Sequence, residues 1–325
     1  SIIALFFVAF SSYTFAIELK IATVSPDGSV WMTALRDAAK QIADRTEDRV
    51  RLKFYPGGVM GDDYAVMRKI RIGQLHGGVM TIGPLVQATK EVQLYGLPMQ
   101  FRSFEEVDYV RSKMDMSLVK AMRSSGYISF GISEVGFAYA MSKEKVTAVD
   151  EVQSKRVWVP SGDTGSEEML AAFGISPIPL TIADVLSGLQ TGLINGVTVP
   201  PVAAIALQWH TQLEHVLDMP LLYVYGTFVI NEKQFKKIDS QDQELVREVL
   251  ERSTREVGLR NRADHVQAVE ALKDQGLQWN AQTDGLRSEW QVQADRASDD
   301  LISQGFVSKS LYDDLSVLLQ DYRTK

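Results

Sequence analysis

From Glu18 onward the apolar residues switch repeatedly between every second position and every third or fourth, and no other feature restricts the fold as much. Leu19, Ile21 and Thr23 alternate as a strand. Pro26-Asp27-Gly28-Ser29 breaks the pattern and offers a helix cap, after which Trp31, Leu35, Ala38 and Ile42 fall on one helical face. Val50, Leu52 and Phe54 form the next strand, closed by Tyr55-Pro56-Gly57-Gly58. A helix over 62–72 with Val66 and Ile70 inward and a strand over 77–81 follow. Strands joined by helical crossovers predict a parallel sheet covered by helices on both faces, an α/β fold.

After a helix over 104–123 the alternation resumes. Strands are expected over 127–132, 137–141, 156–159, 178–180 and 195–199, with helices over 164–173 and 182–193 between them. Pro200-Pro201 opens a helix holding Ala203, Leu207 and Trp209, since proline suits a first turn. The apolar run 219–230 suits a buried strand, and helices over 241–273, 285–303 and 308–322 carry much of the charge and wrap both halves. The chain has 325 residues, more than the roughly 250 that one core usually supports, so two lobes are expected. The expected division is 17–136 plus about 226–265 for one lobe, and 137–225 plus about 266–325 for the other. No linker rich in Gly and Pro separates them, which implies several crossings and a ligand cleft between the lobes at the strand ends.

Thirty-four Lys and Arg against 41 Asp and Glu give a net charge of -7, the wrong sign for a nucleic-acid binder. The absence of cysteine removes disulfides, thiol nucleophiles and zinc knuckles together. The apolar run over 2–10 followed by small and polar residues up to Ala16 has the character of an export signal, so the mature chain is expected to start near Ile17 and to work outside the cytoplasm. Phosphate loops, dinucleotide fingerprints, nucleophile elbows and H-E-x-x-H are all missing. His76, His210, His215 and His265 show no metal spacing, and His210 and His215, five apart on different faces, are expected to be satisfied or solvated. Asp62-Asp63, Asp299-Asp300 and Asp313-Asp314 are expected to be solvated caps and faces. No metal, cofactor or catalytic group is expected, which favours a binding protein over an enzyme.

Several segments share a pattern with one family. Phe54-Tyr55-Pro56-Gly57-Gly58-Val59-Met60-Gly61 supplies an aromatic-Pro-Gly turn, and Met67 to Leu75 a helix ending in Gly73. Leu97-Pro98-Met99-Gln100-Phe101 is similar to Leu-Pro-Phe-x-Phe. Lys155-Arg156-Val157-Trp158-Val159-Pro160 is similar to L-K-I-R-V-P, and Leu189-Gln190-Thr191-Gly192-Leu193-Ile194-Asn195-Gly196 to L-Q-T-G-x-x-D-G, with Asn195 in place of Asp. In this order and spacing they resemble the periplasmic solute-binding proteins of tripartite ATP-independent periplasmic (TRAP) transporters. The resemblance implies a two-lobed periplasmic receptor, monomeric, that captures a small organic solute and hands it to membrane permease subunits. A receptor feeding a membrane signalling protein and a periplasmic enzyme on the same scaffold are the alternatives.

The departures bear on the solute. Where the family carries an arginine that pairs with a solute carboxylate, this chain has Trp158, a flat ring with one donor. Thr198-Val199-Pro200 stands where the family has Glu-Asn-Pro, so a simple C4-dicarboxylate is not the expected ligand. Trp158 is either a core filler or a stacking wall, and the resemblance, which places it in the cleft, favours the wall. Arg156 lies on the same strand face. Asp163 precedes a helix in which Thr164 and Glu167 fit a capping box; its carboxylate would favour an amine or hydroxyls. Thr81, Phe137, Tyr139, Tyr223 and Tyr225 lie near strand ends at family contact positions and complete, with Thr198 and Asn195, the expected binding set.

Overall fold

The computed structural model describes residues 16–325; the expected export signal lies outside them. In chain order the elements are β1 (Ile17–Thr23), α1 (Val30–Arg45), β2 (Val50–Tyr55), α2 (Asp63–Arg71), β3 (Gly77–Thr81), α3 (Phe104–Ser124), β4 (Tyr127–Ser142), α4 (Val149–Gln153) and β5 (Trp158–Pro160). There follow α5 (Thr164–Ala172), β6 (Ile178–Leu180), α6 (Ile182–Thr191), β7 (Gly196–Val199), α7 (Pro201–Ala206), β8 (His215–Leu217) and β9 (Leu222–Asn231). The chain ends with α8 (Glu232–Phe235), α9 (Ser240–Asp274), β10 (Gln278–Asn280), α10 (Asp284–Ser303) and α11 (Lys309–Arg323).

Helix starts follow their capping side chains. The Ser29 hydroxyl accepts from the Met32 amide at 3.2 Å, Asp62 from Ala65 at 2.7 Å and Ser103 from Glu106 at 3.4 Å. At α5 the cap is Asp163, one residue earlier than the Thr164 box expected: its carboxylate takes both the Ser166 amide and the Ser166 hydroxyl. A carboxylate at the positive end of the helix outcompetes a hydroxyl for those donors.

In the first lobe β3, β1 and β2 are parallel, as the crossover pattern predicts, but β9 and β4 continue the sheet antiparallel. The parallel-sheet expectation thus covers only part of it. One apolar cluster lies on the α2 and α3 side of this sheet and another on the side of α1 and the first half of α9. The second lobe hangs on the far half of β4, which pairs with β7 and β8, while β10 extends β8. β5 and β6 form a separate parallel pair, tied to β7 by a bridge between Val157 and Gly196.

The strands expected at 127–132 and 137–141 are one 16-residue strand. Glycines that suggest breaks hold bulges instead: register shifts occur between Ser129 and Ile132 and between Glu134 and Gly136, and Gly131 and Gly136 have φ of 104° and 125°. β4, β9 and α9 therefore pass between the lobes. α10 packs on α5 and α11 on α3, so the C-terminal helices touch both lobes. Among the described residues no helix is long and apolar enough to cross a membrane.

Candidate functional site: an apolar cavity

Between β5, β7 and α5 on one side and Pro98, Met99 and Leu222 on the other lies a cavity of about 120 Å³. Its walls are almost entirely apolar, with Trp158, Val159, Met169 and Phe173 among them, and Ser166 and Thr198 contribute hydroxyls. Trp158 owes its place to the short β5 strand. Its indole N–H donates to the Leu180 carbonyl at 3.0 Å, and its ring meets Trp209 edge-to-face at 5.0 Å between centroids. It is therefore core residue and cavity wall at once: 8% of its surface is exposed, and its one donor is already used. Thr198, opposite Ala140 in the β4–β7 ladder, lines the same space.

Acids lie beyond this lining. Asp163, half-buried at the start of α5, holds the Ser166 hydroxyl at 2.7 Å. Facing it is the first turn of α2, where Asp62 caps the helix and Asp63 turns inward. Asp63 Oδ2 accepts from the Thr81 amide and hydroxyl, both at 2.9 Å, while Oδ1 has no partner and the residue is 5% exposed. Burial pushes the Asp63 carboxyl up to about 6 against the pull of the Thr81 bonds. The expectation that the Asp62-Asp63 pair is solvated fails for Asp63, because one cap position leaves the second acid to pack under β3. Tyr64 Oη is also buried without a partner. Burial, then the Asp163 charge, then the charges of Asp63 and Asp62 hold it protonated far above its ordinary range. Its hydroxyl points at the Asp163 carboxylate, whose charge and hydrogen bonding contribute to that shift. Only a glycine fits beside it: a Cβ on Gly83 would collide with Tyr64 Oη and come 3.3 Å from Asp163 Oδ2.

The other expected contacts sit elsewhere. Arg156 is exposed and donates to the Gly192 carbonyl at 3.1 Å, and Asn195 Oδ1 accepts from the Arg156 amide at 2.8 Å, so this pair clips β5 to the end of α6. Phe137 packs against Phe104 and Tyr223 where the lobes join. Tyr139 stacks on His265 at 6.1 Å, and burial pushes its hydroxyl up to about 12. The Tyr223 hydroxyl donates to Glu134 at 2.9 Å and accepts from Arg111 at 3.1 Å, while the Tyr225 hydroxyl donates to the Val92 carbonyl. Both hydroxyls are thus committed to first-lobe partners. His265 is buried, its Nδ1 has no partner, and burial lowers its pKa to about 4. Ser166 joins the cavity lining without having been expected, and Asp63 and Tyr64 are buried beyond it. The signal in the sequence was the acidic doublet after Gly61, of which only one member can cap.

The family model for bacterial extracellular solute-binding protein, family 7, matches residues 21–304. An uncharacterized protein, YiiZ, of Salmonella typhimurium is 22% identical over 166 residues, 50% of each chain. The match thus spans about half the length of that relative. A TRAP periplasmic solute-binding protein from Roseobacter denitrificans, solved with bound beta-D-glucuronate, superposes with a TM-score of 0.84 at 17% identity, covering 92% of this chain and 98% of that one. The sugar acid binding protein DctPAm of Advenella mimigardefordensis, solved with galactonate, gives 0.84 at 14% identity over 94% and 99%. At such identities the superpositions establish the two-lobed fold, and the family model, matching most of the sequence, establishes descent: the chain belongs to family 7 of the bacterial extracellular solute-binding proteins.

Proposed function

We propose that this protein is a periplasmic receptor that holds one small organic solute between its lobes and delivers it to the membrane subunits of a TRAP transporter. The observation that carries this reading is a partly open apolar cavity, built mainly by the second lobe and met from the first by Pro98 and Met99. The Ser166 hydroxyl is held by the Asp163 carboxylate as part of a helix cap, and the one ionisable lining residue, Lys155, is ion-paired with Glu144. The sugar acids bound by the structural relatives support a small organic ligand. Trp158 at the family's arginine position argues against a plain dicarboxylate, because a charge-assisted pair typically worth about 1.5 to 3 kcal/mol is missing.

The lobes divide near Gly136, near Tyr225 and within α9, and the receptor works as a monomer that closes by bending there. Native mass spectrometry of the protein purified from its own host tests the reading. The expected result is one unaltered solute per chain, and a purified chain that retains nothing, or that converts what it holds, would count against it. Small-angle scattering should show a smaller radius of gyration with solute than without.

A further inference from the structure

This inference rests on the receptor reading and narrows the class of cargo. The lining of the cavity holds very little unspent polarity. Lys155 is its one ionisable side chain, and Glu144 already pairs with that ammonium. The Trp158 indole donates to the Leu180 carbonyl at 3.0 Å, and the Ser142 hydroxyl donates to the Glu144 carbonyl at 2.6 Å. The Ser166 hydroxyl gives its proton to Asp163 at 2.7 Å, so toward the cavity it can only accept. Thr198, half-buried in the β4–β7 ladder, adds one more hydroxyl. A carboxylate drawn into this space would meet no cation that lacks a partner, and an ammonium would meet no carboxylate in the lining. A sugar acid would bring a row of hydroxyls with too few groups to bond them. Each polar atom buried without a partner costs free energy, and a charged one costs most.

What the walls do supply is apolar surface. Trp158, Phe173 and Trp290 bring rings, and Met169 brings a polarisable thioether that packs well against one. The cavity of about 120 Å³ is close in size to the apolar cavity of about 150 Å³ known to take up benzene. We propose that the cargo is an uncharged, compact molecule built on a single apolar ring and carrying at most one hydroxyl, its ring against Trp158 and Met169 and its hydroxyl at Thr198. A hydroxyl is the polar group these walls can meet, since it donates and accepts as Thr198 itself does.

Calorimetric titration of the protein freed of retained solute tests this with five probes: toluene, benzyl alcohol, benzoate, benzylamine and D-glucuronate. On the unmodified protein toluene and benzyl alcohol are each expected to bind at least tenfold tighter than any of the other three. Met169→Trp, which fills the space from a half-buried position on α5, should weaken benzyl alcohol at least tenfold. Thr198→Val, close to it in shape but without the hydroxyl, should lower the affinity ratio of benzyl alcohol to toluene at least threefold. Benzoate, benzylamine or D-glucuronate binding as tightly as benzyl alcohol would overturn the proposal, and so would unchanged binding to Met169→Trp or an unmoved ratio in Thr198→Val. The comparison on the unmodified protein needs no variant to fold. If no probe binds while the protein purified from its host still retains a solute, the apolar assignment fails and the receptor reading stands; if no solute is retained either, both fail.

Discussion

Replacing Asp63 by Asn should strengthen the fold at neutral pH. A carboxyl raised from 3.8 to about 6 binds its proton more readily in the folded state than in the unfolded one, so its ionised form weakens the fold. That penalty is absent below the unfolded value, grows as pH rises through the folded one and is complete above it. Asp63→Asn is therefore expected to gain about 1 to 2 kcal/mol at pH 7 and nearly nothing at pH 4 in urea melts. Trp158 makes the opposite case. Trp158→Ala should cost about 3 to 5 kcal/mol through lost burial beside Trp209. Trp158→Arg should be worse in the same melts, since it buries a guanidinium in an apolar cluster with no carboxylate to meet it, and the family's usual residue would not recover acid binding here. Trp158 was legible in the sequence because one aromatic broke a cation's place in a motif. Asp63 was not, because two adjacent acids differ in burial only once α2 has docked under β3.

The hinge strand offers a sharper test than either lobe. A Cβ at Gly136 would sit 2.5 Å from His265 Nδ1, at a φ of 125° that side chains rarely adopt. Gly136→Ala should cost about 2 to 4 kcal/mol. Combined with His265→Ala, which empties the space opposite, it should cost at least about 1 kcal/mol less than the sum of the singles, and denaturant melts of all four proteins measure that coupling. Helices were well predicted at this level because Ser29, Asp62 and Ser103 cap where polar residues precede an apolar stripe. The short strands β8 and β10 escaped notice, since three residues carry no periodicity. β4 was divided in two because a glycine inside a strand gives the same sequence signal for a bulge as for an end.

Two buried groups at distant points of the molecule set opposite pH slopes. His265, lowered from 6.5 to about 4, contributes stability that is fully present above 6.5 and is lost as pH falls through that window. Asp63 has its penalty relieved over almost the same window. Relative to the parent, His265→Gln should gain stability between pH 6.5 and 5, whereas Asp63→Asn should lose it, and melting temperatures at the two pH values check both signs. The β4–β9 ladder continues on either side of both bulges, so the lobes cannot slide past one another without breaking its hydrogen bonds. They can only bend. With no native cysteine to interfere, spin labels on Val59→Cys and Leu193→Cys, both on exposed positions, should report two discrete inter-lobe distances. A distance that drifts continuously with solute concentration would contradict this. A receptor that closes about one hinge would present one closed outline, so a membrane partner would meet the same silhouette whatever lies inside, and the choice of cargo would be complete before the two proteins touch.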